Sequence, residues 1–372
     1  MKTITIQAGS EDRNTRSEYR RLFDSTIADT FQQALRIIHA SPSLFFTGTK
    51  IAWYQKKAAD TRQEFEQQGL FVPPVMIISI TSRCNLACAG CYMKQQREHH
   101  APEMSPVLLR SVIADAAALG VSIIVIAGGE PLMRKDEILS LARSFPQILF
   151  PLFTNGLLID KDSAQEIAAH KNIVPLISFE GFQPDTDSRR GSGVYDRLLS
   201  SCSVLKKNGI FFGCSVTVTR VNIDRVTDTG FIQAMMEAGV RVFTFVEYVP
   251  IQPGTEDLVL TPDQQKSLHA RMSVLEKQFP ALFIGFPGDE EQFGGCLAAG
   301  RGFIHISSSG NVEPCPAAPF SDANLTSVSL KDALRSPFLD KIRQYHDLLT
   351  ETNGGCALWT HRDWVQTLMT KP

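Results

Sequence analysis

Between residues 75 and 248 the chain alternates short apolar, β-branched runs with helix-length amphipathic stretches. The runs Met76–Thr81, Ser122–Ala127, Leu149–Phe153, Val174–Phe179, Phe212–Thr219 and Val242–Tyr248 are apolar along both faces, the pattern of strands covered on both sides. Segments near 106–119, 136–144, 162–169, 195–207, 229–238 and 262–278 carry apolar residues at three- and four-residue spacing, which predicts a helix in each interval and one after the sixth strand. Single helices between such strands imply a parallel sheet with right-handed crossovers. Six βα units suit an open or partial barrel better than a closed eight-unit one. Pro106, Pro262 and the glycines Gly120, Gly209 and Gly239 stand where helices are expected to start and stop.

The flanks differ. Residues 1–72 read as a helical, charged extension, with helices over Ile27–Ile38 and Ile51–Leu70, closed by Pro73-Pro74. The barrel then spans 73–286. From 287 to 372 the alternation stops; Gly, Ser, Pro and Asp become frequent, with a short strand at Phe303–Ser307 and a helix near 329–349. The expected architecture is α/β: a partial (β/α)6 TIM-like barrel with a helical N-terminal extension and a small C-terminal α+β domain.

Composition narrows the function classes. The chain has 372 residues, 43% hydrophobic and 20% charged, as in ordinary globular proteins. Lys+Arg 37 against Asp+Glu 39 gives a net charge of −2, so no global basic surface points to nucleic acid or an anionic membrane. No apolar run approaches the roughly 18 residues of a membrane span. The polar start MKTITIQAGSEDRNTR has no signal-peptide core. The expectation is a cytoplasmic protein.

Eight cysteines change the picture. In a reducing compartment, clustered thiols point to metal or catalysis rather than disulfides. Cys84, Cys88 and Cys91 crowd the loop directly after the first strand, at its C-terminal end, where α/β folds place their chemistry. Soft thiolates select zinc, copper(I) or iron–sulfur. A structural zinc site needs a fourth ligand, for which His99 and His100 are available. Alternatively, three cysteines hold three irons of a 4Fe-4S cube and leave the fourth open for chemistry.

The run Cys84-x3-Cys88-x2-Cys91 after the first strand of such a barrel resembles the radical S-adenosylmethionine superfamily. Gly128-Gly129-Glu130-Pro131 ends the second strand as that family's GGEP motif does, Thr154-Asn155-Gly156 ends the third, and Ser178-Phe179-Glu180-Gly181 the fourth. The resemblance covers about Val75 to Val249. It implies a 4Fe-4S cluster on Cys84, Cys88 and Cys91 whose open iron is chelated by S-adenosylmethionine. Gly128, Gly129 and Pro131 would form a turn offering backbone acceptors to the methionine ammonium, with Glu130 fixing that turn. Ser178 would bond a ribose hydroxyl, Arg190 the methionine carboxylate (Arg189 is the adjacent alternative), and Tyr92 the adenine; Asn155 belongs to the same set. Ser178 and Asn155 also suit plain backbone satisfaction at strand ends. One departure stands out: the residue before the last cysteine, often aromatic in the family, is Gly90.

Cys296, Gly310 and Cys315, with the distant Cys356, resemble the twitch form, and partly the longer SPASM form, of a C-terminal auxiliary-cluster domain. The CxxC-containing run of the full pattern is missing, which implies one second 4Fe-4S cluster rather than two. A hairpin, Ile304–Ser307 returning through Val312, would bring Cys296 and Cys315 together. The fourth ligand is left open: Asp322, His361, or a free site that binds substrate. Cys202, mid-helix, and Cys214, mid-strand, read as buried packing residues.

The resemblance implies an enzyme that cleaves S-adenosylmethionine reductively to a 5'-deoxyadenosyl radical, which abstracts hydrogen from a peptide or small-molecule substrate, in peptide modification or in cofactor or tetrapyrrole maturation. It implies a ferredoxin- or flavodoxin-like electron donor; no catalytic side chain is identified beyond the cluster. The alternative is a non-catalytic iron–sulfur or zinc-binding scaffold or regulator, which would bind metal without cleaving the cofactor.

Overall fold

The computed structural model describes residues 13–39, 41–96, 101–286, 293–346, 349 and 356–369. Two helices, Arg13–Ile38 and Pro42–Gln67, precede the sheet; both begin earlier than predicted, and the second ends at Gln67 rather than Leu70. Seven parallel strands follow in sequence order: β1 (Val75–Thr81), β2 (Ile123–Gly128), β3 (Phe150–Thr154), β4 (Ile173–Phe179), β5 (Gly213–Val218), β6 (Val242–Glu247) and β7 (Leu282–Phe286). Each of the six predicted strands lies within two residues of its expected bounds. The seventh, Leu282–Phe286, is an addition: a five-residue strand too short for periodicity to separate from loop.

The sheet continues past β1. Strand β8 (Phe303–Ile306) pairs in parallel with β1, and β9 (Val312–Glu313) returns antiparallel to β8, forming the expected hairpin. The order is therefore β7-β6-β5-β4-β3-β2-β1-β8-β9. The sheet curls: the rings of Phe286 on β7 and Phe303 on β8, near its two ends, are 5.3 Å apart. The predicted helix at 329–349 is instead two, Leu330–Ala333 and Pro337–Gln344. The break follows from chemistry, because Ser336 caps the second helix at Leu339 N and Pro337 cannot continue the first.

Strand pleating divides the side chains between two faces. Ile177, Phe179, Val216, Phe243 and Phe245 join the large core beneath the crossover helices. Leu176, Val242 and Leu282 point the other way, into the curl, where Phe153, Val174 and Phe211 pack beside them. Ala34 and Ile37 of the first helix cover this inner floor. The extension is pinned to the turn before β2 by Arg62, 2% exposed, which donates to Gly120 O at 2.6 Å and pairs with Asp24 of the first helix at 2.5 Å. The apolar floor leaves the opposite end of the barrel, at the strand C-termini, as the open mouth.

Candidate functional site

The mouth is built on the loop that leaves β1. Gly129 N–H donates to Thr81 O (2.8 Å) and Glu130 N–H to Arg83 O (2.7 Å), so the turn after β2 lies against the stretch leading into Cys84. This contact explains both glycines. A Cβ on Gly128 would meet Thr81 O at 2.4 Å, and one on Gly129 would meet Arg83 O at 2.1 Å. Here the missing side chains admit neighbouring backbone. Gly129→Ala is accordingly expected to cost about 1–3 kcal/mol or more through overpacking, read as a lower denaturation midpoint together with reduced iron uptake.

Glu130 is fully buried and completely engaged. Its Oε1 accepts from Leu132 N (2.9 Å) and Thr154 Oγ1 (2.8 Å), and its Oε2 from Asn155 N (2.7 Å). Burial raises its pKa, while the Asn155, Leu132 and Thr154 bonds and the Arg190 charge oppose the rise. The carboxyl thus joins the end of β2 to the end of β3. Pro131 opens the short 3-10 turn Pro131–Arg134. Asn155, from the turn after β3, reaches the thiol loop itself, donating through Nδ2 to Asn85 Oδ1 (2.6 Å) and Cys84 Sγ (3.8 Å).

The three thiols are partly exposed and close enough for their charges to interact. Burial pushes Cys84 up; donation from Leu86 N–H (3.5 Å) and Asn155 pulls it down, and the Glu130 and Cys91 charges add to the rise. Burial likewise pushes Cys88 up, against the Arg190 and Arg189 charges. Donors and guanidinium groups beside half-covered thiols suit anionic ligands. Thiolates are soft ligands that favour iron–sulfur, zinc or copper(I). His99 and His100 lie outside the described residues. The thiol set therefore fits an iron–sulfur cluster.

Arg190 sits at the mouth with both its Nε (3.0 Å) and Nη2 (2.6 Å) on Glu180 Oε1, while Arg189 Nη1 holds Glu180 Oε2 at 2.7 Å. Glu180 is 2% exposed. Its role was not read from the sequence, although it stands in the quoted Ser178–Gly181 motif. Ser178 lies on the inner face, in register with Ser215 of β5. Tyr92 opens the short helix after Cys91, and burial raises its phenol pKa, with the charges of Cys91, Cys315 and Glu313 adding to the rise. Tyr92 thus lies within electrostatic reach of both cysteine sets.

The second set converges. The Cys315 thiol is pushed well above its usual range, first by hydrogen bonding to Cys356, then by burial and by the Cys356 and Cys296 charges. All three are buried. Asp322 caps the helix Pro337–Gln344, accepting from Ser336 Oγ (2.5 Å) and Phe338 N (3.2 Å); His361 follows the helix Ala357–Thr360. Cys202 and Cys214 lie in the core, fully covered, with burial raising Cys202 to about 12 and Cys214 well above its usual range. A further buried group links β1, β8 and β9: His305 Nδ1 meets Glu313 Oε2 at 2.6 Å and its Nε2 meets Ser79 Oγ at 2.8 Å. No motif marks it, because Ser79 and His305 are 226 residues apart.

Residues 78–238 match the family model for the radical SAM superfamily. Over that stretch the chain carries a radical SAM domain. It is similar to the AdoMet-dependent heme synthase of Methanosarcina barkeri, 26% identical over 68% of this chain and 79% of that one. It is also similar to the mycofactocin maturase MftC of Mycolicibacterium smegmatis, 27% identical over 81% of this chain and 79% of that one. In fold it resembles SuiB of Streptococcus suis bound to S-adenosylmethionine, with a TM-score of 0.63 and 18% identity over 79% of this chain and 73% of that one. A radical SAM chain with relatives of this kind is an enzyme, and S-adenosylmethionine and a 4Fe-4S cluster are its cofactors. No helix among the described residues is long and apolar enough to cross a membrane.

Proposed function

We propose that Cys84, Cys88 and Cys91 ligate the cluster that binds S-adenosylmethionine, and that Cys296, Cys315 and Cys356 ligate a second, auxiliary cluster. The observation that carries the first assignment is the meeting of three partly exposed thiols with N–H donors and two arginines at the barrel mouth. The first cluster, when bound and reduced, supplies the electron that cleaves S-adenosylmethionine to methionine and a 5'-deoxyadenosyl radical. The chain's own residues shape the site. Glu130 fixes the turn of Gly128, Gly129 and Pro131 beside the thiol loop, and Asn155 orients Cys84. Ser178 faces the interior for a ribose hydroxyl, Tyr92 borders the adenine side, and Arg190 brings positive charge to the methionine carboxylate. In this reading the 1–72 extension covers the barrel floor through Ala34 and Ile37, 73–286 carries the first cluster, and 287–372 the second.

The substrate we infer is a peptide. Supporting relatives include the PqqA peptide cyclase of Gluconobacter oxydans, and SuiB was solved with its precursor peptide SuiA. The heme synthase relative favours a tetrapyrrole instead. The inner wall weighs between the two. No charged residue occupies an inner-facing position of β2 to β7; Ser178, Ser215 and Thr244 stand there in register, with Thr244 Oγ1 buried and unpartnered. Carboxylates pressed on such a wall would lose hydration without pairing, whereas peptide N–H and C=O groups would find hydroxyls. A ferredoxin- or flavodoxin-like protein would deliver the electron, and the oxidation-prone clusters and free thiols suit the cytoplasm.

The test is anaerobic reconstitution with iron and sulfide, then dithionite and S-adenosylmethionine. Formation of 5'-deoxyadenosine is the expected result. Iron-replete protein that never forms it, with or without peptide, would sink the reading.

A further inference from the structure

The turn from Cys88 to Cys91 is gripped from two sides. On one side Ala89 N–H donates to Arg189 O (2.9 Å), and Arg189 Nε donates back to Ala89 O (3.0 Å). On the other lies Tyr248, the residue that follows β6, only 4% exposed. Gly90 has φ +66°, and a Cβ there would stand 2.9 Å from Tyr248 Oη and 3.2 Å from Tyr248 Cε2. The phenol is itself anchored. Tyr248 Oη donates to Thr255 Oγ1 at 2.9 Å, and Thr255 Oγ1 donates to Gln252 O at 2.6 Å. The ring therefore connects the loop after β6, at the barrel mouth, to the backbone between two thiols.

We propose that Tyr248 is a positioning residue for the thiol-bearing turn: its ring fills the space that a side chain at position 90 would take, and with Arg189 it sets where Cys88 and Cys91 present their sulfurs. Glycine at 90 and tyrosine at 248 form one steric unit drawn from separate strand ends. The inference rests on Cys84, Cys88 and Cys91 being the cluster ligands. It goes further in assigning the shape of their loop to a residue 157 positions after the last of them, counted from 91 to 248. Arg189 alone cannot impose that shape, because its bonds reach Ala89 and leave Gly90 free to rotate toward the mouth. A ring with its hydroxyl satisfied has few alternative rotamers and blocks that rotation.

The experiment compares the full-length wild type with Gly90→Ala, Tyr248→Ala and the double variant, each reconstituted anaerobically with iron and sulfide. Iron per chain and the equilibrium-dialysis Kd for S-adenosylmethionine are the readouts, with iron retained at the second cysteine set reporting an intact fold. Each single variant is expected to weaken S-adenosylmethionine binding. The double variant should bind at least about fivefold better than the product of the single effects, the coupling expected of residues in contact. Tyr248→Phe keeps the ring and loses only the Thr255 bond, so it should weaken binding less than Tyr248→Ala. Effects that simply multiply, or a Tyr248→Phe loss equal to that of alanine, would overturn the proposal. A wild type that takes up no iron at Cys84, Cys88 and Cys91 would instead overturn the ligand assignment beneath it.

Discussion

Replacing Cys84, Cys88 and Cys91 together by alanine should reduce 5'-deoxyadenosine formation to that of a no-enzyme control and remove about four irons per chain, the content of one 4Fe-4S cluster. The expectation follows from the geometry. The thiols are partly exposed at the mouth and carry little of the core's packing, so alanine there should leave the sheet standing. What disappears is the anionic set that the Leu86 N–H, the Asn155 amide and the two arginines are arranged to serve. Iron at Cys296, Cys315 and Cys356 should persist and give a residual iron–sulfur absorbance near that of one cluster. Retained cofactor cleavage in this variant would remove the ligand assignment.

The barrel was legible in the chain because its signal is local. Each strand from Val75 to Glu247 is a short, largely apolar and β-branched run, and each helix between them carries its own periodicity and punctuation, such as Ser105-Pro106 at the start of one and Gly120 at its end. What escaped reading was either brief or long-range. Leu282–Phe286 makes a strand only because β6 lies ready to pair with it. The parallel pairing of β8 with β1 joins residues more than two hundred positions apart, and no local pattern reports such a partner.

The site divides along the same line. Cys84, Cys88 and Cys91 were readable because their spacing is short and chemistry demands it. The glycines of the turn after β2 were readable as glycines, yet their reason was not: the expectation was a turn offering backbone acceptors to the methionine ammonium, and the structure places Thr81 O and Arg83 O where the side chains would be. Arg190 was picked out, but not the buried Glu180 that gathers it with Arg189. The Ser79–His305–Glu313 chain and the Tyr248–Gly90 contact join different strands through side chains of ordinary type. Sequence carries no mark of such pairs until the fold supplies the distance.

Exchanging Cys296 and Cys315 for alanine should cost the same iron as the first triple variant but spare cleavage: iron falls by about four per chain, 5'-deoxyadenosine still forms, and modified substrate does not. The thiols here are buried, and Cys315 is hydrogen-bonded to Cys356 with Cys296 close by. Two readings of that convergence compete. If the three were simply packing residues, Cys→Ala would remove a small apolar group from each site and destabilise the fold modestly without changing iron content. If they hold a cluster, the wild type carries about eight irons per chain and the variant about four. Iron stoichiometry therefore separates the readings without any substrate in hand, and the persistence of cofactor cleavage shows that the first site survives. Tyr92, which follows Cys91 directly, also feels the charge of Cys315, so the two cysteine sets lie within electrostatic reach of one residue. A substrate radical formed beside the first cluster would then lie near the second, and removing the second should stop the reaction after hydrogen abstraction rather than before it. Accumulation of 5'-deoxyadenosine without product is the signature to measure; unchanged iron with unchanged turnover would return Cys296 and Cys315 to the packing core.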